Sequence, residues 1–225
     1  MARVLLTHSY FYRLDQKQWQ DARPYPPLGT LLAAAVLREA GHEVRVFDTG
    51  LRHSPEELVP ELRGWAPDML VVHDDGFNYL TKMCLTTMRE AAFRMIALAK
   101  EAGCKVAVNS SDATDHATEY LAAGADAIIL GESEAALTDL VERWSRNASW
   151  RDVAGVTFRE GDVVTSTPKR PVMRDLDALP LPAWDLVDIA PYRAIWQASN
   201  GYFSLNMATT RGCPFKCNWC AKPIY

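Results

Sequence analysis

Cys213, Cys217 and Cys220 stand in the run C-P-F-K-C-N-W-C, which places three thiols within eight positions at the spacing C-x3-C-x2-C. Thiolates grouped this closely suit a soft metal or an iron-sulfur cluster, and a set of three leaves one coordination position for a ligand that is not protein. Chemistry can take place at that open position. A structural zinc site would need four ligands grouped as C-x2-C pairs, and only one such pair is present. A c-type haem would need histidine after Cys220, where the sequence has Ala221. The pattern therefore favours an iron-sulfur cluster. The two other cysteines, Cys84 and Cys104, lie in apolar segments and are expected to pack as small hydrophobes.

The thiols need elements that position them. Residues 202–209 carry a strand pattern and run directly into Thr210-Arg211-Gly212-Cys213, so the cysteines are expected on a loop immediately after a strand. Before it, Pro168, Pro171, Pro180, Pro182 and Pro191 make residues 168–199 a stiff, mostly irregular connector. Residues 155–159 and 163–167 flank Glu160-Gly161-Asp162 and read as a β-hairpin with glycine in its turn. Three parts follow: a domain over 1–150, a hairpin and connector over 151–199, and the start of a further domain over 200–225.

In the first 150 residues, short runs rich in valine and isoleucine alternate with segments of helical period. Strands are expected at 3–7, 43–48, 68–73, 105–109 and 127–130, and helices at 28–40, 55–65, 80–102, 117–123 and 134–144. Ser54-Pro55-Glu56-Glu57 supplies an N-cap, a first-turn proline and a carboxylate at the third helical position. Right-handed crossovers then favour a doubly wound parallel sheet in the flavodoxin-like order 2-1-3-4-5, with ligands beyond the carboxyl ends of the strands. Residues 8–27 form a long aperiodic loop at that edge, carrying Tyr10, Phe11, Tyr12, Trp19 and Tyr25. Those rings either pack the loop onto the sheet or, as a group, line a large flat ligand. The other edge loops are His73-Asp74-Asp75-Gly76-Phe77, Asn109-Ser110-Ser111-Asp112-Ala113-Thr114 and Gly131-Glu132-Ser133-Glu134. Their glycines and hydroxyls admit a ligand close to the backbone. Asp74 and Asp75 could act as an acid/base pair, but adjacent carboxylates at strand ends are more often solvated or capping. His73 reads as structural.

Composition excludes several classes. Hydrophobic content is 48%, and 24 basic residues are scattered against 28 acidic ones for a net charge of -4, so no basic stripe points to nucleic acid or a membrane surface. Apolar stretches are broken before 18 residues, so no membrane span is expected. The absence of a signal segment and the bunched thiols point to the cytoplasm. Without G-x-G-x-x-G after the first strand, a nicotinamide or flavin dinucleotide is not the leading ligand.

The C-x3-C-x2-C run, with aromatic Trp219 before its last cysteine, resembles the signature of the radical S-adenosylmethionine superfamily. Pro26-Pro27-Leu28-Gly29, Ala40-Gly41-His42-Glu43-Val44, Gly124-Ala125-Asp126, Leu130-Gly131-Glu132 and Leu179-Pro180-Leu181-Pro182-Ala183-Trp184-Asp185 resemble its cobalamin-dependent branch. The resemblance implies that Cys213, Cys217 and Cys220 hold a 4Fe-4S cluster whose fourth iron binds S-adenosylmethionine, with Trp219 beside the adenosyl group. Reduction of that cluster would give a 5′-deoxyadenosyl radical. It also implies a corrinoid across the carboxyl edge, for which Pro27, Gly29, Asp74, Gly76, Ser110, Ser111, Gly131 and Glu132 are the candidate contacts. The D-x-H-x-x-G motif that supplies a lower axial histidine in methionine-synthase-like domains is absent, so neither His8 nor His73 is assigned to cobalt. The loop at Asn109-Ser110-Ser111-Asp112 also lacks the paired glycines common in relatives.

The activity so implied is methyl transfer through cobalamin, or radical cyclisation or rearrangement, on a small-molecule substrate. An electron donor such as flavodoxin or ferredoxin would be needed. The family completes a partial (β/α) barrel after its cysteines, so the sequence is expected to be an N-terminal fragment, inactive by itself. Two other readings stand beside this one. The first is a non-catalytic flavodoxin-like module with a structural or redox metal. The second is a methylthiotransferase, which needs three further cysteines where Cys84 and Cys104 supply two.

Overall fold

A computed structural model of the protein describes residues 1–76 and 86–212, and Cys84, Cys213, Cys217, Trp219 and Cys220 lie outside the described residues. The five apolar runs form β1 (Arg3–Thr7), β2 (Glu43–Phe47), β3 (Met69–His73), β4 (Lys105–Asn109) and β5 (Ala127–Ile129). The helices are α1 (Gln16–Asp21), α2 (Leu28–Glu39), α3 (Val59–Trp65), α4 (Thr86–Glu101), α5 (Ser111–Asp115), α6 (Ala117–Ala122), α7 (Glu134–Ser145) and α8 (Ala190–Asn200). Local signals placed most of these boundaries. Glu57 accepts the backbone N–H groups of His53 at 2.6 Å and Ser54 at 3.2 Å, which stabilises the turn leading into α3. Gly41, at φ +83°, follows the end of α2 in a left-handed conformation that costs glycine little.

The five strands are parallel in the order β2-β1-β3-β4-β5, with Arg3 opposite Glu43, Val4 opposite Met69, Met69 opposite Lys105 and Ala107 opposite Ala127. Successive strand residues face opposite sides of the sheet. Leu5, Leu70, Val72, Val106, Val108 and Ile128 therefore pack with α3, α4 and α6 in one core. Val4, Leu6, Met69, Val71, Ala107 and Ile129 pack with α2 and α7 in the other. Burying each of the larger branched side chains contributes roughly 1.5–3 kcal/mol, so the two cores fix the strand ends above which any ligand must lie.

Several features depart from expectation. The hairpin, β6 (Val156–Glu160) and β7 (Val163–Ser166), joins the sheet itself: β6 lies antiparallel on β5, pairing Thr157 with Ile128, and β7 forms the edge. It satisfies backbone groups that β5 would otherwise leave open. The connector is mostly irregular, as expected, but a 3-10 turn at Trp184–Leu186 and, at its end, α8 form within it. Pro191 falls in the first helical turn, where its missing N–H costs nothing, and Tyr192 and Trp196 four residues apart bury one face. The strand expected at 202–209 does not form, since a strand needs a neighbour for its ladder and this segment has none among the described residues. The described residues therefore contain no barrel element. Residues 8–27 are not aperiodic throughout, for they hold a 3-10 turn at Tyr12–Leu14 and α1.

Candidate cofactor site at the carboxyl edge

In this strand order the switch point lies between β1 and β3, the usual place for a ligand. There the Asp74 carboxylate accepts the Ser9 backbone N–H at 2.7 Å and the Ser9 hydroxyl at 2.9 Å. Burial raises the Asp74 carboxyl above its ordinary range against the pull of these bonds. Asp75 caps α2 from a distant loop: Leu28 N–H donates to Oδ2 at 3.2 Å and Gly29 N–H to Oδ1 at 3.1 Å. The two carboxylates thus do separate structural jobs and do not form an acid/base pair. Pro27 is buried at the start of α2, and Gly29 is buried beneath Asp75, where a Cβ would stand 3.1 Å from Oδ1 and 3.2 Å from the Asp75 Cα.

Over β4 and β5 lie the other predicted contacts. Ser110 is buried and caps α5, its hydroxyl accepting the Ala113 N–H at 2.9 Å, while Ser111 is half-buried at the first helical position. Gly131 is exposed at φ +68°, and Gly76 is exposed after β3. No described atom lies within 4 Å of where a Cβ on either glycine would stand. Glu132 is half-exposed and accepts the Met173 N–H at 2.6 Å. Gly76, Ser111, Gly131 and Glu132 are thus the expected contacts that are exposed or half-exposed at this edge.

The histidines of the edge are committed elsewhere. His8 Nε2 lies 2.9 Å from Asp48 Oδ1, and Nδ1 lies 3.2 Å from the Thr49 hydroxyl. The Tyr192 hydroxyl of α8 donates to Asp48 Oδ2 at 2.7 Å. Burial pushes the Asp48 carboxyl up, but the His8, Gly50 and Tyr192 bonds outweigh it and hold the group below its ordinary value. His73 Nε2 lies 2.7 Å from the Ser133 hydroxyl, and its buried Nδ1 has no partner among the described residues. Burial lowers its pKa to about 4, so the ring is neutral near pH 7.

Three rings of the aromatic loop turn inward, while Trp19 and Tyr25 stay half-exposed. Tyr10, Phe11 and Tyr12 are 6%, 0% and 3% exposed and belong to the core beneath α4. Trp19 packs edge-on against Tyr12 at 5.6 Å, and Tyr25 packs against Trp196 at 5.3 Å. A loop that folds back onto the sheet removes more apolar surface from water than one held open.

Sequence reasoning missed the His8–Asp48–Tyr192 chain, in which the Asp48–Tyr192 bond joins residues 144 positions apart. It also missed the pairing of Glu134 in α7 with Arg211. A carboxylate in the loop after β5 and an arginine beside the thiols were both visible, but nothing local joined them. Among the described residues no group of three or more histidine, cysteine or acidic side chains could hold a metal. The thiols lie outside those residues.

The model of the B12 binding domain family matches residues 22–141, from the loop before α2 to the middle of α7. The chain belongs to the B12-binding domain family. Among curated proteins, the chain is 25% identical over 205 residues to an uncharacterized methyltransferase of Pyrococcus horikoshii, covering 88% of the chain and 41% of that protein. It is 26% identical over 203 residues to an anaerobic magnesium-protoporphyrin IX monomethyl ester cyclase of Synechocystis, covering 88% and 38%. It is 30% identical over 198 residues to the hopanoid C-3 methylase of Methylococcus capsulatus, covering 87% and 35%. The chain spans about two fifths of the length of these relatives.

Among solved structures, its fold matches the cobalamin-dependent S-adenosylmethionine radical enzyme OxsB with aqua-cobalamin and S-adenosylmethionine bound, at TM-score 0.73 and 18% identity, covering 98% of the chain and 28% of OxsB. It matches the radical S-adenosylmethionine methyltransferase TsrM of Kitasatospora setae, with cobalamin and a [4Fe-4S] cluster bound, at TM-score 0.58 and 15% identity, covering 80% and 31%. No helix among the described residues is long and apolar enough to cross a membrane.

Proposed function

We propose that this chain is the corrinoid-binding part and cluster-ligating segment of a cobalamin-dependent radical S-adenosylmethionine enzyme. The observation that carries the reading is a B12-binding domain followed, in one chain, by the C-x3-C-x2-C run of Cys213, Cys217 and Cys220. Gly76, Ser111, Gly131 and Glu132 would meet a corrinoid lying across the strand ends. Pro27, Gly29, Asp74 and Ser110 would hold the loops that shape its seat. The three thiolates would ligate a 4Fe-4S cluster, with Trp219 beside bound S-adenosylmethionine. When bound, the cluster supplies an electron for cleavage of the sulfonium and the corrinoid supplies a methyl-carrying or redox-active cobalt.

The residues around that seat bind, orient and exclude water. The Ser9–Asp74 bonds and the Asp75 cap stiffen the switch point, and the neutral His73 ring adds no charge beneath it. The reaction class is methyl transfer, or radical cyclisation or rearrangement, on a small-molecule substrate, with electrons from a flavodoxin- or ferredoxin-like donor. The names of the relatives, two methyltransferases or methylases and a cyclase, support both classes.

The test has two arms. Incubation with hydroxocobalamin followed by desalting is expected to leave a corrin absorbance band with the protein; its absence defeats the corrinoid assignment. Anaerobic reconstitution with iron and sulfide is expected to give about four irons per chain and a paramagnetic signal on reduction that S-adenosylmethionine perturbs. Cys213→Ala is expected to lose both. About eight irons would identify the methylthiotransferase reading, and a single zinc the non-catalytic module.

A further inference from the structure

Arg211 stands two residues before Cys213 in the sequence. Its guanidinium forms a two-pronged ion pair with Glu134 in the first turn of α7: Nη1 donates to Oε2 at 3.1 Å, and Nη2 donates to Oε1. Glu132 Oε1 lies 4.0 Å from the same guanidinium. The Arg211 and Glu134 side chains retain only 15% and 9% of their exposure. Burial works to raise the Glu134 carboxyl, and Arg211 outweighs it, holding the group ionised. A planar guanidinium bonded in this way is fixed in orientation as well as in place, which a lysine could not reproduce.

Segment 202–212 has other anchors among the described residues. No ladder holds it; it rests on Tyr202 against Trp196 at 5.4 Å, the Arg193 guanidinium over Phe203 at 5.2 Å, and Asn206 Nδ2 donating to Asp75 Oδ2 at 3.3 Å. Its last anchor before the thiols is the ion pair. Glu134 opens α7 directly after the short loop of Gly131, Glu132 and Ser133, and Ser133 is bonded to His73 at the end of β3. This loop and the start of α7 therefore touch the strand ends, the connector through Met173, and residues 202–212 through Arg211.

We propose that Glu134 is a positioning residue: its clamp on Arg211 ties residues 202–212, the lead-in to the thiols, to the loop after β5 and couples that tie to occupancy of the corrinoid seat. This rests on the function proposed above, since Gly131 and Glu132 are taken as corrinoid contacts. Removing one partner of a buried pair leaves the other charge uncompensated, so the clamp is held or lost as a unit. Coupling of this kind is reciprocal: a corrinoid that steadies the loop after β5 steadies Arg211.

Trypsin can cleave between Arg211 and Gly212 only when the Arg211 side chain leaves its partner and enters the protease, so the cleavage rate reads the open population. Arg146, whose side chain is 75% exposed, serves as the internal reference. In ligand-free protein, Glu134→Gln is expected to raise cleavage at Arg211 relative to Arg146 by about tenfold or more, the size expected for losing a buried charge-assisted bond. Glu134→Asp keeps the charge, shortens the reach and is expected to fall between the two; it also stands in should Glu134→Gln fail to melt cooperatively. Hydroxocobalamin is expected to slow cleavage of the unsubstituted chain and to have no effect at Arg211 in Glu134→Gln. Equal ligand-free rates in all three chains would overturn the clamp. Protection by bound corrinoid that persists in Glu134→Gln, or no protection in a chain shown to bind it, would overturn the coupling. If no corrinoid binds, the proposed function fails and the ligand-free rates alone judge the clamp.

Discussion

His73 shows how a single residue at the edge of the site is set by its surroundings. The ring is 6% exposed, one nitrogen meets Ser133, and burial holds its pKa near 4 against an ordinary value of 6.5. The unfolded chain therefore takes up this proton first as pH falls. The contribution of neutral His73 to stability is full above about pH 6.5 and is lost as pH drops from there toward 4, a loss on the order of 3 kcal/mol. Urea unfolding across this window is expected to show midpoints that fall with acidity, and His73→Gln is expected to flatten that part of the profile. Parallel profiles for the two proteins would place the titration elsewhere. In the sequence His73 reads as structural because it is a lone histidine. Its partner was not legible there, because Ser133 lies 60 positions away and arrives only when β3 and the loop after β5 come to the same edge.

At the scale of elements, α2 illustrates how a helix end can be completed by a distant loop. It opens on Pro27 without a side-chain cap of its own, and the Asp75 carboxylate takes its first two free N–H groups. Asp75→Ala is expected to lower stability by about 1–2 kcal/mol, the usual cost of a lost N-cap, and Asp75→Asn by less, because its remaining oxygen still accepts. Denaturant midpoints of the three proteins test this; an Asp75→Ala chain as stable as its parent would remove the cap from the account. The periodicity of residues 28–40 made the helix visible in the sequence, and capping was one of the roles open to Asp75. What was hidden is that Gly29 is small because the Asp75 backbone crosses over it. In the sequence, Gly29 is marked as a ligand contact only by the resemblance of Pro26-Pro27-Leu28-Gly29 to the cobalamin-dependent family.

Across the whole molecule, protection should follow sheet position. β1, β3 and β4 are paired on both sides and covered by helices on both faces, whereas β7 is paired only with β6 and is half-exposed. Hydrogen exchange is expected to be slowest in β1, β3 and β4 and fastest among the strands in β7; a β7 as protected as β3 would contradict this order. The sequence by itself determined the five parallel strands, most of the helices between them and, through the handedness of crossovers, their order, because each depends on periodicity and turn chemistry within a few residues. It also supplied the thiol spacing. Only the tertiary structure decided that the hairpin extends the sheet, that Tyr10, Phe11 and Tyr12 pack inward, and that no strand forms at 202–209. It likewise decided that Asp48 meets Tyr192 and that Glu134 meets Arg211. These contacts join residues as many as 144 positions apart, and their free energy comes from burial and pairing that exist only once the two cores have closed.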